Sequence, residues 1–431
     1  MNVSAIFLGF FIMLAMMLFG MPIAVAMAAV GIVGGMLAYG LPFVDSIAPV
    51  VWGVQNDNLL TAIPLFVLMG EILLRSGVAD RTYAALAAWL GWLPGGLLHT
   101  NIGCCAMFAA TSGSSVATAA TVGTVALPSL ESRGYPMHLS LGSLAAGGTL
   151  GILIPPSVNM IVYGSITDTS IGQLFIAGII PGLLLTGLFM LYIFLVSFRD
   201  KTRVREISVP LGQRLRLLVD LVPPLVIFLI VMGSLYLGIA TTTESAALGV
   251  TASLYFAWRN GRLRWPVMRV CFQQTARTTG MILLIITAAF ILNLSISLTG
   301  VADAMTRWVA SLGLSPTQML LILMGFYLIL GMFMDVMSML VATVPITFPI
   351  VMALGVDPVW YGVFIVLMCE LGMITPPVGM NLFVVHGIRK DHGSIRDAIR
   401  GGLPYAVIML LFGLLMISVP ELVTWLPQNT R

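Results

Sequence analysis

The chain has 431 residues, 59% of them hydrophobic and 9% charged, whereas a soluble domain carries about 25% charged residues, so a soluble fold is excluded and an all-α polytopic membrane protein is expected. Its two lysines, Lys201 and Lys390, do not follow a glycine, which excludes a P-loop nucleotide cradle. The net charge of +3 sits in short loops rather than on one face, which argues against nucleic-acid binding, and Cys104, Cys105, Cys271 and Cys369 lack the spacing of a metal site or disulfide framework.

Hydropathy predicts spans over 4–19, 22–40 and 59–75, then an apolar stretch over 97–130 interrupted at Ser112, Gly113, Ser114 and Ser115. A span over 137–165 follows, broken by Gly151 through Pro155, Pro156 and Asn159, and then 170–198, 217–239, 243–258 and 278–298. The stretch over 317–350 is interrupted near Asp335 and Ser338, 361–387 carries Gly372, Thr375, Pro376, Pro377 and Asn381, and 402–424 closes the chain. No basic segment precedes the first span, so no cleavable signal peptide is expected.

If 97–130 and 317–350 are re-entrant hairpins, 18 of the 20 lysines and arginines fall on one side, in the clusters 199–216, 259–277 and 389–400 and at Arg75, Arg81 and Arg133. The positive-inside rule makes that side cytoplasmic and puts both termini on the opposite, periplasmic face. Either stretch crossing as an ordinary helix would destroy the asymmetry. The eight tryptophans fall near span ends, as an interfacial belt requires.

The chain also repeats itself. Ser76-Gly77-Val78-Ala79-Asp80 returns as Thr299-Gly300-Val301-Ala302-Asp303, 223 residues on, and Pro128, Gly151 and Pro155-Pro156 return as Pro349, Gly372 and Pro376-Pro377 at an offset of 221. Two repeats are therefore expected, 1–205 and 206–431, each with scaffold helices, an amphipathic arm, a hairpin, a broken span and a closing helix. Charge counting gives them opposite topology, an arrangement characteristic of secondary transporters.

An arm of the first hairpin, about 14 residues, reaches roughly 20 Å, so its tip falls somewhat past mid-bilayer if the hairpin is steep and nearer the midplane if it tilts. Irregular backbone at that depth survives only against protein or a water-filled cavity. The serines at 112, 114 and 115 supply hydroxyl oxygens, Asp335 is an intramembrane acid, and each Pro-Pro pair frees carbonyls of the preceding turn. Two related sodium sites are expected, one where the tip at 112–115 meets the break at 151–159, the other where Asp335 and Ser338 meet the break at 372–381. The return helices, starting near Ser115 and Asp335, aim positive dipole ends at the centre, which suits a carboxylate. Close packing of small residues around 109–124, capping by Asp335 and simple kinking at the prolines remain open readings of the same residues. Glu370 is open between ion or proton site and structural partner, while Glu71 and Glu244 read as structural.

The motifs Gly20-Met21-Pro22, Pro64 through Gly70, Ser112 through Ala119, Gly151 through Asn159, Thr241 through Ala247, Gly331 through Asp335 and Gly372 through Pro377 resemble the large membrane subunit of tripartite ATP-independent periplasmic (TRAP) transporters over essentially the whole chain. The resemblance implies the ion-transporter-superfamily fold, an elevator motion, sodium coupling and a bacterial inner-membrane location. It also implies two partners, a small four-helix membrane subunit and a periplasmic substrate-binding protein that delivers an organic acid such as a C4-dicarboxylate or sialic acid. A stand-alone antiporter of the same superfamily is the alternative. An intramembrane serine hydrolase is disfavoured because no histidine or lysine accompanies the tip at 112–115, and a passive channel because closed hairpins suit alternating access.

Overall fold

The computed structural model describes residues 3–199, 209–391 and 393–429, without the side chains at 3–7, 110–112, 199 and 302–303. The Ser112 side chain and the basic residues Lys201, Arg203, Arg205 and Arg431 therefore lie outside the described residues. The described chain is helical, without strands. The first half runs α1 (Val3–Leu18), α2 (Ile23–Tyr39), α3 (Pro42–Gln55), α4 (Ala62–Arg75) and α5 (Val78–Leu90), then the hairpin α6 (Leu97–Ser112) and α7 (Ser115–Ser132), the broken pair α8 (Met137–Leu153) and α9 (Val158–Thr167), and α10 (Ile171–Arg199). The second half runs α11 (Leu211–Leu217), α12 (Val222–Tyr236), α13 (Thr242–Arg259), α14 (Trp265–Leu298) and α15 (Val301–Ser311), then the hairpin α16 (Pro316–Gly331) and α17 (Val336–Ala353), the broken pair α18 (Pro358–Met373) and α19 (Met380–Gly387), α20 (Arg396–Ser418) and α21 (Glu421–Gln428).

Local chemistry sets the boundaries. Gly77 and Gly300 adopt φ of 73° and 67°, so the repeated Gly-Val-Ala-Asp motif marks the corner where a scaffold helix gives way to its arm, not the end of a span. The first such corner turns by 66°. Side chains of Ser114, Ser157, Asp335 and Asp357 cap α7, α9, α17 and α18, and capping boxes at Thr241-Glu244 and Ser315-Gln318 start α13 and α16. Thus the helices restarted at a hairpin tip or at the break within a span, except α19, begin with a side chain that satisfies one of their orphan amides.

Packing follows the repeat. In the scaffold α2 lies against α14, and α4 against α13; in the core α8 is embraced by α6 and α7, and α18 by α16 and α17. The halves also interlock, since α9 packs on α17 and α19 on α7, while α20 covers α8 and α10 covers α18. Core helices α8 and α18 are buried on nearly every face, which explains why they are apolar or small apart from His138 and Glu370.

One helix, α3, escapes the hydropathy reading. Residues 42–75 correspond, 223 positions on, to residues 265–298, yet the first segment breaks into α3 and α4 where the second is the single 34-residue α14. The break has a side-chain cause: Asn56 Nδ2 donates to the Trp52 carbonyl at 2.8 Å, and Asp57 Oδ1 accepts from the Leu59 amide at 2.8 Å, so both compete with helical bonding. The final predicted span likewise ends early, at Ser418, and the short α21 follows.

Candidate functional site

At the first hairpin tip α6 stops at Gly113, whose φ of 60° reverses the chain without a Cβ penalty. Ser114 is extended, and its hydroxyl accepts from the Ala117 amide at 3.4 Å. The tip rests on the first break. A Cβ on Gly151 would stand 2.9 Å from the Ser114 carbonyl oxygen and 3.1 Å from Ser115 Cα, and one on Gly113 would stand 3.3 Å from the Pro156 carbonyl oxygen. Pro155-Pro156 is cis and buried, as is the rest of the segment 151–159.

The second tip is built the same way from different residues. The Val378 amide donates to the Met332 carbonyl at 3.2 Å, and Gly331 and Gly372 meet so closely that a Cβ on Gly372 would lie 2.5 Å from Gly331 Cα. Asp335 caps α17, accepting from the Ser338 amide at 3.2 Å and from the Ser338 hydroxyl. Thr375 donates to the Leu371 carbonyl at 2.6 Å, and Pro376-Pro377 is again cis. Here the break is open: Pro376 is half-buried, and Pro377, Val378 and Met380 are exposed.

A cavity of about 940 Å³ joins the two tips. Gly113, Ser114, Ser115, Asn159, Asp335 and Ser338 line it, so six of the sequence-derived candidates converge on one space. Gly151, Pro155, Pro156, Gly372, Thr375, Pro376, Pro377 and Asn381 stand behind the lining and form or support the backbone on which the tips rest. Asn381 is placed differently from its sequence grouping with Asp335 and Ser338. Its amide donates to the Ala145 carbonyl of α8 at 3.3 Å, because the interlock of the halves carries α19 onto α7 and α8. Ser115 likewise crosses between halves, its hydroxyl donating to Glu370 Oε1 of α18 at 2.5 Å.

The opposite wall comes from the scaffold and is largely apolar, lined by Leu14, Met17, Val67, Met281 and Ile285, with Glu71 and Thr278 as its polar members. Sequence reading missed this wall because most of its residues carry no polar signature in an apolar chain. The site offers hydroxyl, carboxylate, amide and carbonyl oxygens, a set that fits a hard cation rather than a soft metal. Among the described residues no three His, Cys, Asp or Glu side chains converge.

The family model for the "Tripartite ATP-independent periplasmic transporter, DctM component" matches residues 10–422. The chain belongs to this family. Among its relatives are the C4-dicarboxylate TRAP transporter large permease proteins DctM of Pseudomonas aeruginosa, 36% identical over 89% of this chain and 90% of that one, and of Vibrio cholerae, 32% identical over 98% and 97%. The crystal structure of the Alcanivorax borkumensis YdaH transporter is similar with a TM-score of 0.63 at 16% identity, covering 90% of each chain, a likeness of fold. Among the described residues five helices, or up to eight if each bent pair is one span, are long and apolar enough to cross a membrane, and with the family they make this permease a multi-pass membrane protein. In it Glu71 lines the cavity but is ion-paired with Arg75 one turn on, and Glu244 closes the capping box of α13.

Proposed function

We propose that this TRAP permease is the transport subunit of a sodium-coupled, binding-protein-dependent importer of organic acids, with C4-dicarboxylates the first class to test. The observation that carries the reading is the partition of polarity across the cavity. Serine hydroxyls, Asn159, Asp335 and the starts of α7 and α17 belong to the core, whereas the facing scaffold wall is largely apolar. A substrate held by the core would travel with it, and sliding past an apolar wall breaks few hydrogen bonds, which favours an elevator motion. Helix starts at Ser115 and Val336 suit a carboxylate, and nearby oxygens suit sodium. The scaffold wall lies at the end of α1, the start of α2, the end of α4 beside Arg75 and the part of α14 beside Arg277. By the positive-inside rule the cavity then faces the cytoplasm and both termini are periplasmic. Family membership supports a small four-helix membrane subunit and a periplasmic binding protein as partners.

The test is uptake of a labelled C4-dicarboxylate into proteoliposomes holding the permease, its small subunit and the binding protein. Uptake should require an inward sodium gradient and all three proteins, and should fall at least tenfold in Asp335→Asn, which keeps a capping side chain but removes the charge. Uptake without a binding protein would favour the stand-alone antiporter, and uptake indifferent to sodium would overturn cation coupling by sodium.

A further inference from the structure

At the first hairpin tip Ser115, which also lines the cavity, stands beside two buried polar side chains, Glu370 and Asn381. Ser115 gives its hydroxyl proton to Glu370 Oε1, and the other carboxylate oxygen, Oε2, is buried with no hydrogen-bond partner among the described residues. Asn381 spends its amide on the Ala145 carbonyl, which leaves its Oδ1 buried and likewise unpartnered. The three belong to one neighbourhood, since a Cβ on Gly148 would stand 3.0 Å from Asn381 Nδ2 and 3.1 Å from the Ser115 carbonyl oxygen. Glu370 and Asn381 are both fully buried.

A buried acceptor left unpaired is destabilising, and more so when it is charged. Two of them beside one serine call for a shared positive partner. No lysine or arginine occurs in either hairpin or either broken span, so those segments cannot supply one. Water would satisfy the acceptors without neutralising the carboxyl, a proton would neutralise it, and a cation would neutralise it while coordinating both acceptors.

We propose that Glu370, Asn381 and Ser115 form a monovalent-cation site, with Glu370 Oε2, Asn381 Oδ1 and the Ser115 hydroxyl oxygen as ligands. The hydroxyl suits this role because its proton is already committed to Oε1, so a lone pair is free for the ion. The site draws its ligands from both halves of the repeat, and an ion there would tie the first hairpin tip to α18 and α19. The inference rests on the cation-coupled reading above; it adds Glu370 as a ligand and joins Ser115 and Asn381, which the pairing of each tip with its own break assigns to separate sites.

The experiment is thermal unfolding of the purified permease with its small subunit, titrated with sodium against potassium at constant ionic strength, for wild type, Glu370→Gln, Asn381→Ala and Asp335→Asn. Glu370→Gln retains an oxygen to accept from Ser115 and removes the charge. It should melt no lower than wild type in potassium, because the unpaired buried charge is gone, and should raise the half-saturating sodium concentration at least tenfold. Asn381→Ala should also raise it and serves if Glu370→Gln does not fold. A fall in melting temperature equal in both salts, with the sodium increment intact, would make Glu370 a structural partner and overturn the site. A sodium increment lost only in Asp335→Asn would overturn the site while leaving cation coupling standing. No sodium increment in wild type would overturn both.

Discussion

Two glycines on the same helix offer a sharp test of how the second tip is held. Gly331 ends α16, and a Cβ there would lie 2.6 Å from Gly372 Cα and 3.4 Å from its amide nitrogen. Ordinary contact begins near 3.4 Å, so Gly331→Ala requires α16 and α18 to separate by close to 1 Å, with backbone rather than a flexible side chain in the way. Overpacking of this kind costs about 1–3 kcal/mol. Gly325, six residues earlier on α16, has nothing within 4 Å of its would-be Cβ. There the same substitution removes the conformational freedom of glycine from a helix interior and is worth roughly 0.5–1 kcal/mol in the stabilising direction. Thermal unfolding of the two variants should therefore move in opposite directions, with Gly331→Ala below wild type and Gly325→Ala at or above it. Gly331→Ala should also weaken sodium-dependent uptake, since the Met332 carbonyl that holds Val378 directly follows the displaced residue. A Gly331→Ala protein that melts with wild type and transports normally would refute the close approach of α16 and α18.

Three further outcomes are expected. Asp57, in the break between α3 and α4, approaches Ser165 of α9 at 3.3 Å, a contact from scaffold to core; a disulfide between Asp57→Cys and Ser165→Cys should arrest uptake until reduced, and normal uptake with full cross-linking would refute core motion past that loop. Just after α19 Arg389 holds the Asp391 carboxyl down at about 2 from its usual 3.8, so its contribution is complete above pH 3.8 and is lost as pH falls through about 2. Asp391 is 44% exposed, so screening limits the effect to under about 1 kcal/mol, and the small melting deficit of Asp391→Asn at pH 6 should vanish towards pH 2. Single cysteines in a Cys-free background should label from outside in the 353–358 loop and only from inside at 262–266; the reverse pattern would invert the orientation.

The legible parts of the fold were those where the chain interrupts its own apolar pattern. Gly113 with its flanking serines, Asp335 and the Pro-Pro pairs break helices for local reasons, and local reasons can be read from neighbouring residues. The split between α3 and α4 was hidden because its agents, Asn56 and Asp57, look like an ordinary inter-span loop, and because the aligned residues of α14 continue as helix. The side-chain partner of Ser115 was beyond sequence reasoning, since Glu370 lies 255 residues away and faces it only through the interlock of the halves. The same interlock moves Asn381 from the second tip to the back of the first. Motif spacing predicts which parts each half contains, whereas it carries no information about which half's parts touch.

That crossing of partners bears on how an inverted repeat can work as one machine. If each hairpin met only its own broken span, the halves would be two independent sites and a ligand at one would leave the other unaffected. Here α9 packs on α17 and α19 on α7, so each broken span supports the return helix of the opposite hairpin. The first break is buried throughout, while the second exposes Pro377 and Val378, so equivalent parts occupy unlike surroundings within one structure. Under the proposed mechanism the opposite-facing state would exchange these surroundings, and the interlock forbids either half from making the exchange alone. Coupling between an ion at one tip and a substrate at the other then needs no special relay, because the helices that carry both are packed as a single body.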